Sequence, residues 1–536
     1  MTDTNAKLNA GQDSRWTRYV TPLILGAMLV AGAAIRAYGS NFGLPYVYHP
    51  DEPAIVDVAL RIERTGDFNP HWFNYPSLYM YVQFGIIVLM RAWAGLHGLA
   101  LDGLTAQGMI YQAGRLVTVL IGTATIAVVY ATGRRLFNER VGLWAALILA
   151  GTALHIEHSH YITTDVPCAF FAVGCLCFAA RALDTRSLAD LTLSALMAGL
   201  AAGAKYNAGL VLVTTGLAFL LTRRHWRELL DPALIAIPLG AAVGFLGSTP
   251  YAIFDYDAFK KGVEAEIEHY RLGHHGAEGS DNWRWFALYL YREGMYPILA
   301  WTTALGMICA AVVRRTRKDL LLLPFPLLYY AMLSVQRVRF ARNLMPIVPF
   351  LAIFAARLTA EVLDSLAARI PWGRLGKPLT VLAQVAAVTG LAFLLLRPPV
   401  QRQWEIDYWL TQEDTRTIAK GWIEENIPDG TAIAVEAYTP WLEFSYKPGT
   451  TQRRYRLDRY WRLADSPLSF YQQKGYQYII VSSIMYGRYF VDRTSYPKER
   501  SFYESLFAQW PLVKEFKGHP VPMHDPVLRV YRVPAR

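Results

Sequence analysis

Apolar runs of about 17–25 residues recur along the first two thirds of the chain. A run of this length can cross the hydrocarbon core of a bilayer as an α-helix, and a soluble domain does not need several of them. With 53% hydrophobic residues, the chain is predicted to be an α-helical polytopic membrane protein. Hydropathy predicts spans at residues 19–38, 111–132, 141–158, 163–182, 189–204, 206–222, 233–253, 296–313, 320–336, 344–360 and 378–396. The first run is expected to stay as a span rather than to be removed as a signal peptide, because many others follow it.

A further apolar stretch, residues 77–93, decides the orientation of everything after it. If this stretch lies along the membrane surface, the basic clusters Arg134-Arg135 and Arg314–Lys318 fall on the cytoplasmic side, as the positive-inside rule favours. If it crosses the membrane, they fall outside. We therefore predict eleven spans, with 77–93 as an interfacial helix. The net charge of +11 comes partly from these clusters, so it is a topology signal and does not require a nucleic-acid partner.

The composition changes near residue 400, where a small soluble domain is predicted. Helical periodicity at Glu413–Asn426 ends in a Pro-Asp-Gly turn, and strand-like segments follow at 431–437, 476–483 and 527–533. This pattern predicts an α/β domain. The predicted division is a cytoplasmic tail at 1–18, a transmembrane module at 19–398 with an outer loop at 39–110, and an extracytoplasmic α/β domain at 399–536.

The stretch VYHPDEP (47–53) follows the first span and carries two adjacent carboxylates. Pro53 suits the first turn of a helix, which places Asp51 and Glu52 at its N-terminus, where backbone N–H groups and the helix dipole favour ionised carboxylates. One of the two is explained as a helix cap. The neighbouring carboxylate and His49 are not, and we interpret the pair as functional.

A second polar segment, HIEHSHYITTDVP (155–167), lies at the predicted outer end of two spans. Its histidines and carboxylates could form a Zn²⁺ or Mn²⁺ site, but histidines at an interface are more often hydrogen-bonded structural residues. Asp165 is more informative than the histidines. A carboxylate directly before an apolar span is costly unless it has a partner or a function.

Basic residues stand on the predicted outer side at several positions, against the positive-inside bias. Lys205 lies between two closely spaced spans, and the segment 336–343 carries Arg337, Arg339 and Arg342. Because arginine and lysine bind phosphate oxygens, a phosphate site would explain the exception, whereas snorkelling of Lys205 to the interface is the alternative. The loop at 254–290 adds Arg271 among residues that otherwise read as a solvated charged helix.

Five of these motifs occur together in a familiar order. YHPDEP, SHYITTDVP, GAKYNAG, EIEHYRLG and RFARNLMPIVPF resemble the C-type glycosyltransferase superfamily, and in particular its bacterial lipid A aminoarabinose transferases and protein O-mannosyltransferases. The resemblance covers roughly residues 20–360. It implies the fold of that superfamily (GT-C), in which a membrane module carries juxtamembrane helices in its first outer loop.

The resemblance also implies roles for individual residues. Asp51 matches the essential acidic residue of the first outer loop, Glu52 its partner, and Asp165 a second acidic residue near the reaction centre. Lys205 matches the lysine that contacts the donor phosphate, and Arg271, Arg337, Arg339 and Arg342 are the further candidates for phosphate binding. The candidate ligands of a divalent metal are His269, Glu268 and His158.

One departure from the pattern concerns the aminoarabinose enzymes. They carry an acidic-basic pair before the Pro of the second juxtamembrane helix, where this chain has Phe73-Asn74-Tyr75-Pro76. Without this pair, the sequence gives less support to a metal site and to aminoarabinose as the sugar.

The implied chemistry is transfer of a hexosyl or pentosyl group from a polyprenyl-phosphate donor to a lipid, glycan or protein acceptor. Asp51 would act as base and the cations would hold the leaving phosphate, with inversion at the anomeric carbon. The expected location is the bacterial inner membrane, with the site facing the periplasm. A lipid-linked-sugar transporter or flippase, or a glycan polymerase, is the alternative.

Overall fold

Long helices occupy the positions where the sequence predicts membrane spans. The computed structural model describes residues 2–223, 231–369, 376–491, 495–519, 521 and 523–535, and the side chains of 2–18, 376 and 377 lie outside the described part. The helices of this first part are α1 (Thr2–Ala37), α2 (Glu52–Thr65), α3 (Leu78–Leu96), α4 (Gly103–Leu136), α5 (Glu139–Ala150), α6 (Ala153–His158), α7 (Asp165–Thr185), α8 (Leu188–Ala204), α9 (Leu212–Thr222), α10 (Ala233–Ser248), α11 (Tyr251–Phe254), α12 (Tyr256–Leu272), α13 (Asn282–Tyr289), α14 (Pro297–Ile308), α15 (Arg317–Leu322), α16 (Pro324–Val335), α17 (Val348–Arg369) and α18 (Gly376–Leu410). Short 3₁₀ segments (Tyr206–Val211, Ala341–Ile347) precede α9 and α17, and π-helical segments (Leu290–Gly294, Cys309–Arg314) flank α14.

Each of the eleven predicted spans coincides with one or more of these helices. Within the described residues, eight helical segments are long and apolar enough to cross a membrane by length and composition, and α8, Tyr206–Thr222 (which includes α9) and α10 are shorter apolar helices. The chain is thus a polytopic integral membrane protein. Small residues let its helices approach closely. At Gly199 of α8, an added Cβ would lie 2.2 Å from the backbone oxygen of Ala241 in α10.

The helix bundle has two polar ends. At one end Arg135 of α4 pairs with Asp184 of α7 (2.9 Å), and Lys318 Nζ donates to the Arg135 carbonyl oxygen (3.4 Å). This end is called the Arg135 face. The other end carries Asp51 and is called the Asp51 face. The two basic clusters used to predict the topology therefore meet at one face, opposite Asp51.

Helix α3 begins and ends on the Asp51 face, although its length and composition would suffice for a span. At its start, the Ser77 backbone N–H donates to Thr249 at the end of α10 (3.4 Å). Near its end, Arg91 pairs with Glu63 of α2 (2.9 Å) and donates to the Leu101 carbonyl oxygen just before α4 (3.3 Å). Helix α4 then runs from this face to the Arg135 face. These contacts join both ends of α3 to neighbouring segments of the Asp51 face, and the juxtamembrane position of 77–93 stays a prediction.

The direction of the two faces can be tested by thiol labelling. A cysteine introduced beside Arg91 is expected to react with a membrane-impermeant reagent from outside intact cells, and one beside Arg134 only after permeabilisation. The parent without the added cysteine is the control for Cys168, Cys175, Cys177 and Cys309, which lie in apolar helices. Labelling in the opposite sense would reverse the orientation of both faces.

The C-terminal part forms a sheet packed with helices, here named the sheet domain. Its helices are α19 (Thr415–Asn426), α20 (Leu468–Gln473), α21 (Ser483–Val491) and α22 (Pro497–Gln509), and its strands are β1 (Ala432–Glu436), β2 (Arg456–Tyr460), β3 (Tyr478–Ser482), β4 (Leu512–Phe516) and β5 (Leu528–Arg532). The strand order among the described residues is β2-β1-β3-β5-β4. Strand β1 pairs parallel with β2 and β3, and β5 pairs antiparallel with β3 and β4.

The boundary of this domain differs from the predicted one. Helix α18 continues through Pro398 and Pro399 to Leu410, so the sheet domain begins with α19 rather than at residue 399. Prolines commonly end helices, so a helix that continues through two of them is not expected from the sequence. The predicted helix and three predicted strands coincide with α19, β1, β3 and β5, whereas β2 and β4 were missed.

Candidate functional site

A polar cavity of about 200 Å³ opens on the Asp51 face where six segments meet. Its lining comes from the start of α2, the turn before α3, the start of α7, Lys205 at the end of α8, helix α12 with the following turn, and the 3₁₀ segment before α17. The lining residues are Asp51, Ile55, Trp72, Asn74, Tyr75, Thr163, Thr164, Asp165, Lys205, Glu266, His269, Tyr270, His274, Phe340 and Arg342. Segments far apart in sequence thus converge, as the predicted topology requires.

Asp51 stands at the N-cap position of α2, but its carboxylate does not cap the helix. Instead, Asp51 Oδ2 lies 3.1 Å from Arg342 Nη1, and the side chain lines the cavity. Its backbone N–H donates to His49 Nδ1 (3.3 Å). The carboxylate is therefore held by an arginine inside the cavity, and capping does not account for it.

Glu52 points in the opposite direction, into the protein. Its two oxygens accept from Arg115 Nε and Nη2 of α4 (2.8 and 2.7 Å), and Oε1 also accepts the Ile162 backbone N–H (3.0 Å). Glu52 and Arg115 are both fully buried. Glu52 is absent from the cavity lining, so the prediction that it takes part in the chemistry is corrected. It anchors the start of α2 to the bundle.

Asp165 and Lys205 form a second ion pair in the cavity. Lys205 Nζ donates to Asp165 Oδ1 (2.7 Å) and to Asn343 Oδ1 (2.8 Å), which also accepts from the Tyr270 hydroxyl (3.1 Å). Burial opposes the ammonium form, yet the Asp165 carboxylate raises the pKa of Lys205 above its usual value. Lys205 is 7% exposed and its ammonium is paired inside the cavity, so it does not snorkel to the membrane surface.

Helix α12 presents one face to the cavity and another to solvent. Glu266, His269 and Tyr270 line the cavity, while Glu268 and Arg271 form an exposed two-pronged pair (2.6 and 2.7 Å) outside it. The first set has the i, i+3, i+4 spacing of one helix face. Burial raises the pKa of Glu266 and lowers that of His269.

The predicted arginines separate in the structure. Arg342 lines the cavity, Arg337 is exposed, and Arg339 is paired with Asp281 and Asn282. Arg271 does not line the cavity. It borders an adjoining groove and forms an ion pair with Glu268. Arg342 is therefore the arginine of this set that the structure brings to Asp51 and Lys205.

The predicted metal ligands are not brought together. Glu268 faces away from the cavity, His269 stacks on His274 (ring centroids 5.2 Å apart), and His158 packs edge-on against Tyr161 (5.9 Å). Within the described residues, no three His, Cys, Asp or Glu side chains are grouped so that they could hold a metal ion. Burial, followed by the nearby His269, lowers the pKa of His274 to about 4. The predicted trio does not fit a metal site here, and a divalent metal stays a prediction from the resemblance.

An apolar groove of about 520 Å³ adjoins the cavity and shares part of its lining. Asn74, Tyr75, Lys205, Glu266 and Tyr270 border both. The remaining lining is largely apolar and includes Pro76, Val263, Ile267, Met332 and Val335. Ile267 and Val335 are 62% and 83% exposed, on a part of the protein that lies at the end of the bundle. A polar cavity thus continues into a groove suited to a hydrocarbon chain.

Several residues of this arrangement escaped sequence reasoning. Tyr75, Tyr270 and Asn343 carry no charge and gave no signal above their neighbours. Arg115 was detectable, because a charge inside a predicted span is costly unless it is paired. Its place in the second predicted span indicates a buried carboxylate partner, which in the structure is Glu52.

Comparisons with known proteins point to one class. Residues 104–254 match the family model described as dolichyl-phosphate-mannose-protein mannosyltransferase. The undecaprenyl phosphate-alpha-4-amino-4-deoxy-L-arabinose arabinosyl transferase of Pseudomonas aeruginosa is 27% identical over 394 residues, in a match that covers 69% of this chain and 65% of that protein. The chain therefore matches about two thirds of the length of this relative.

Solved structures give the fold. The oligosaccharyltransferase of Archaeoglobus fulgidus superposes with a TM-score of 0.56 at 12% identity, over 89% of this chain and 71% of that one. Its complex with an inhibitory peptide and a dolichol-phosphate gives 0.52 at 13% identity, over 90% and 72%.

The chain thus shares the fold of this archaeal oligosaccharyltransferase. In sequence it is similar to the aminoarabinose transferases and to the mannosyltransferase family.

Proposed function

We propose that the protein is a glycosyltransferase that moves a sugar from a polyprenyl-phosphate donor to an acceptor at the Asp51 face. The observation that carries this proposal is the junction of two surfaces: a polar cavity with two ion pairs opens into an apolar groove, and Lys205 lies at the border. A lipid phosphate has the same division between a charged head and a hydrocarbon chain. The names of the arabinosyl transferase and mannosyltransferase relatives support the same class of donor.

In this proposal the polyprenyl chain lies in the groove and the phosphate lies between Lys205 and Arg342. Both cations are already paired with carboxylates, so the phosphate shares their donors rather than meeting free charges. Lysine has three N–H donors and arginine five, which leaves donors for phosphate oxygens. The sugar then occupies the polar cavity beside Asp51.

The reaction follows from this placement. Asp51 takes the proton of the acceptor hydroxyl as its oxygen attacks the anomeric carbon. The bond from that carbon to the phosphate oxygen breaks, and the electron pair leaves with the phosphate, whose charge Lys205 and Arg342 stabilise. Attack opposite the leaving group inverts the anomeric configuration. No covalent sugar–enzyme intermediate is required.

The finer assignments belong to the same proposal. The transferred group is a hexose or a pentose, and the acceptor is a lipid, a glycan or a protein. We place the cavity and the sheet domain on the periplasmic side of the bacterial inner membrane, because the basic clusters stand on the opposite face.

The test uses a donor in which the sugar of a polyprenyl-phosphate sugar is radiolabelled. This donor is given to the purified protein in lipid. A transferase releases unlabelled polyprenyl phosphate and places the label on an acceptor or, with water as a poor acceptor, in free sugar. If the label stays on intact donor while donor moves between leaflets, the protein is a flippase or transporter.

Donor affinity tests the phosphate site separately. Lys205→Ala and Arg342→Ala are each expected to weaken donor binding about ten- to a hundred-fold, since a charge-assisted hydrogen bond contributes about 1.5–3 kcal/mol. Arg337→Ala is the matched control, because this exposed arginine does not line the cavity, and its affinity should equal that of the wild type. Unchanged binding in both cavity variants would remove Lys205 and Arg342 from the phosphate site.

A further inference from the structure

The sheet domain holds the loop that leads to Asp51, residues 43–51. Residues 47–49 of this loop form no helix or strand, so their position depends on tertiary contacts. Arg416 at the start of α19 donates to the Tyr48 carbonyl oxygen (3.3 Å), and its guanidinium carbon lies 3.9 Å from the centre of the Tyr48 ring. The Tyr48 hydroxyl meets Thr417 Oγ1 (2.9 Å), and Trp441 Nε1 donates to the Val47 carbonyl oxygen (3.1 Å).

Arg416 is itself rigidly held. It is 1% exposed and bonds Asp414 through two nitrogens (2.8 and 2.6 Å), and Nη2 also donates to the Met523 carbonyl oxygen (3.1 Å). An arginine with this many fixed bonds has little freedom to move. Its contacts with Tyr48 therefore fix this residue, three positions before Asp51, relative to the sheet domain.

The sheet domain also holds the segment next to Arg342. The Tyr496 hydroxyl accepts the Gly276 backbone N–H (2.9 Å), and Arg462 Nη1 lies 2.7 Å from His275 Nε2. Residues 277–279 in turn form backbone hydrogen bonds with 337–339, through Arg339 N to Ala277 O and Gly279 N to Arg337 O, both 2.9 Å. The chain reaches Arg342 three residues later.

The sheet domain thus contacts both the loop that leads to Asp51 and the segment that is hydrogen-bonded to the residues leading to Arg342. We propose that the sheet domain is a positioning element for the transferase reaction, and that Arg416 is a positioning residue that sets Asp51 against Arg342 through Tyr48. This proposal rests on the proposed function for its effect on turnover. Arg416 does not touch the cavity, so its effect is on geometry rather than on donor contacts.

The variant that tests it is Arg416→Lys in the full-length protein. Lysine keeps the positive charge beside buried Asp414 but loses the planar fork that reaches Tyr48, Asp414 and Met523 together. Because a catalytic group displaced by about 1 Å can cost two orders of magnitude, turnover is expected to fall at least about ten-fold. Donor affinity and the number of donor sites per protein should stay at wild-type values. Arg454→Lys is the control, since Arg454 pairs with Asp429 within the sheet domain (2.7 Å).

Hydrogen–deuterium exchange supplies a readout that does not depend on activity. Exchange at residues 43–53 is expected to rise in Arg416→Lys and not in Arg454→Lys, whereas exchange in the β1–β3–β5 centre of the sheet stays unchanged. Turnover within two-fold of wild type, unchanged exchange at 43–53, or a loss of turnover matched by a loss of donor sites would each overturn the proposal. If the wild type transfers no sugar but exchange at 43–53 rises as expected, the proposed function fails while the domain contact stands.

Discussion

Asp51→Asn is expected to lower turnover at least about 100-fold, because a positioned general base contributes about 10²–10⁴-fold to the rate. Asparagine keeps the size of the side chain and a polar oxygen beside Arg342, but it cannot take the acceptor proton. Donor affinity should be unchanged or slightly higher, since Arg342 loses a competing carboxylate. The measurement is single-turnover transfer with saturating donor, together with donor binding.

Asp57→Asn is the matched control for this variant. Asp57 lies on the same helix, is exposed and does not line the cavity, so its replacement should leave turnover unchanged. If Asp51→Asn keeps activity within a few-fold of wild type, Asp51 is not the base. The pair with Arg342 would then be a structural contact of the cavity wall.

The second large effect is expected from the buried pair beneath the cavity. Arg115→Met leaves the Glu52 carboxylate buried without its partner, which typically costs about 3–5 kcal/mol. The free energy of unfolding, measured by denaturant titration in detergent micelles, should fall by about this amount. Glu52→Gln in the same chain should recover part of the loss, because Gln carries no charge and its oxygen can still accept the Ile162 N–H.

An ion pair on the surface tests whether burial causes the large loss of stability expected for Arg115→Met. Arg140 and Asp364 form an ion pair with side chains 74% and 52% exposed, so Arg140→Met should cost no more than about 1 kcal/mol. Equal losses from Arg115→Met and Arg140→Met would mean that burial of the Glu52–Arg115 pair is not what stabilises the start of α2.

The sequence predicted the location of the site better than the partners of its side chains. Topology and the resemblance brought Asp51, Asp165 and Lys205 to one face, and the structure places all three in one cavity. The different roles of Asp51 and Glu52 could not be predicted, because the direction of each side chain depends on Arg342 and Arg115, which lie far away in sequence. Likewise, Arg337 and Arg339 look equivalent to Arg342 in sequence, yet Asp281 and Asn282 hold Arg339 elsewhere.

The fold shows the same division between local and distant information. Spans were predictable because their length and apolarity are local properties, and 77–93 was placed from charge distribution over the whole chain. The end of α18 was not predictable from the sequence, because prolines usually stop a helix and Pro398 and Pro399 do not stop this one. Strands β2 and β4 lie at the two edges of the sheet and have largely exposed side chains, so they lack the apolar pattern that identified β1, β3 and β5.

If the protein is the proposed transferase, the apolar groove has a consequence for how it meets its donor. Its exposed side, marked by Ile267 and Val335, would let a prenyl chain enter from the bilayer without passing through water. The donor would then arrive by lateral diffusion, and the quantity that governs encounter would be its mole fraction among membrane lipids. Diluting proteoliposomes with buffer should therefore leave the rate per enzyme unchanged, whereas fusing them with donor-free vesicles should lower it.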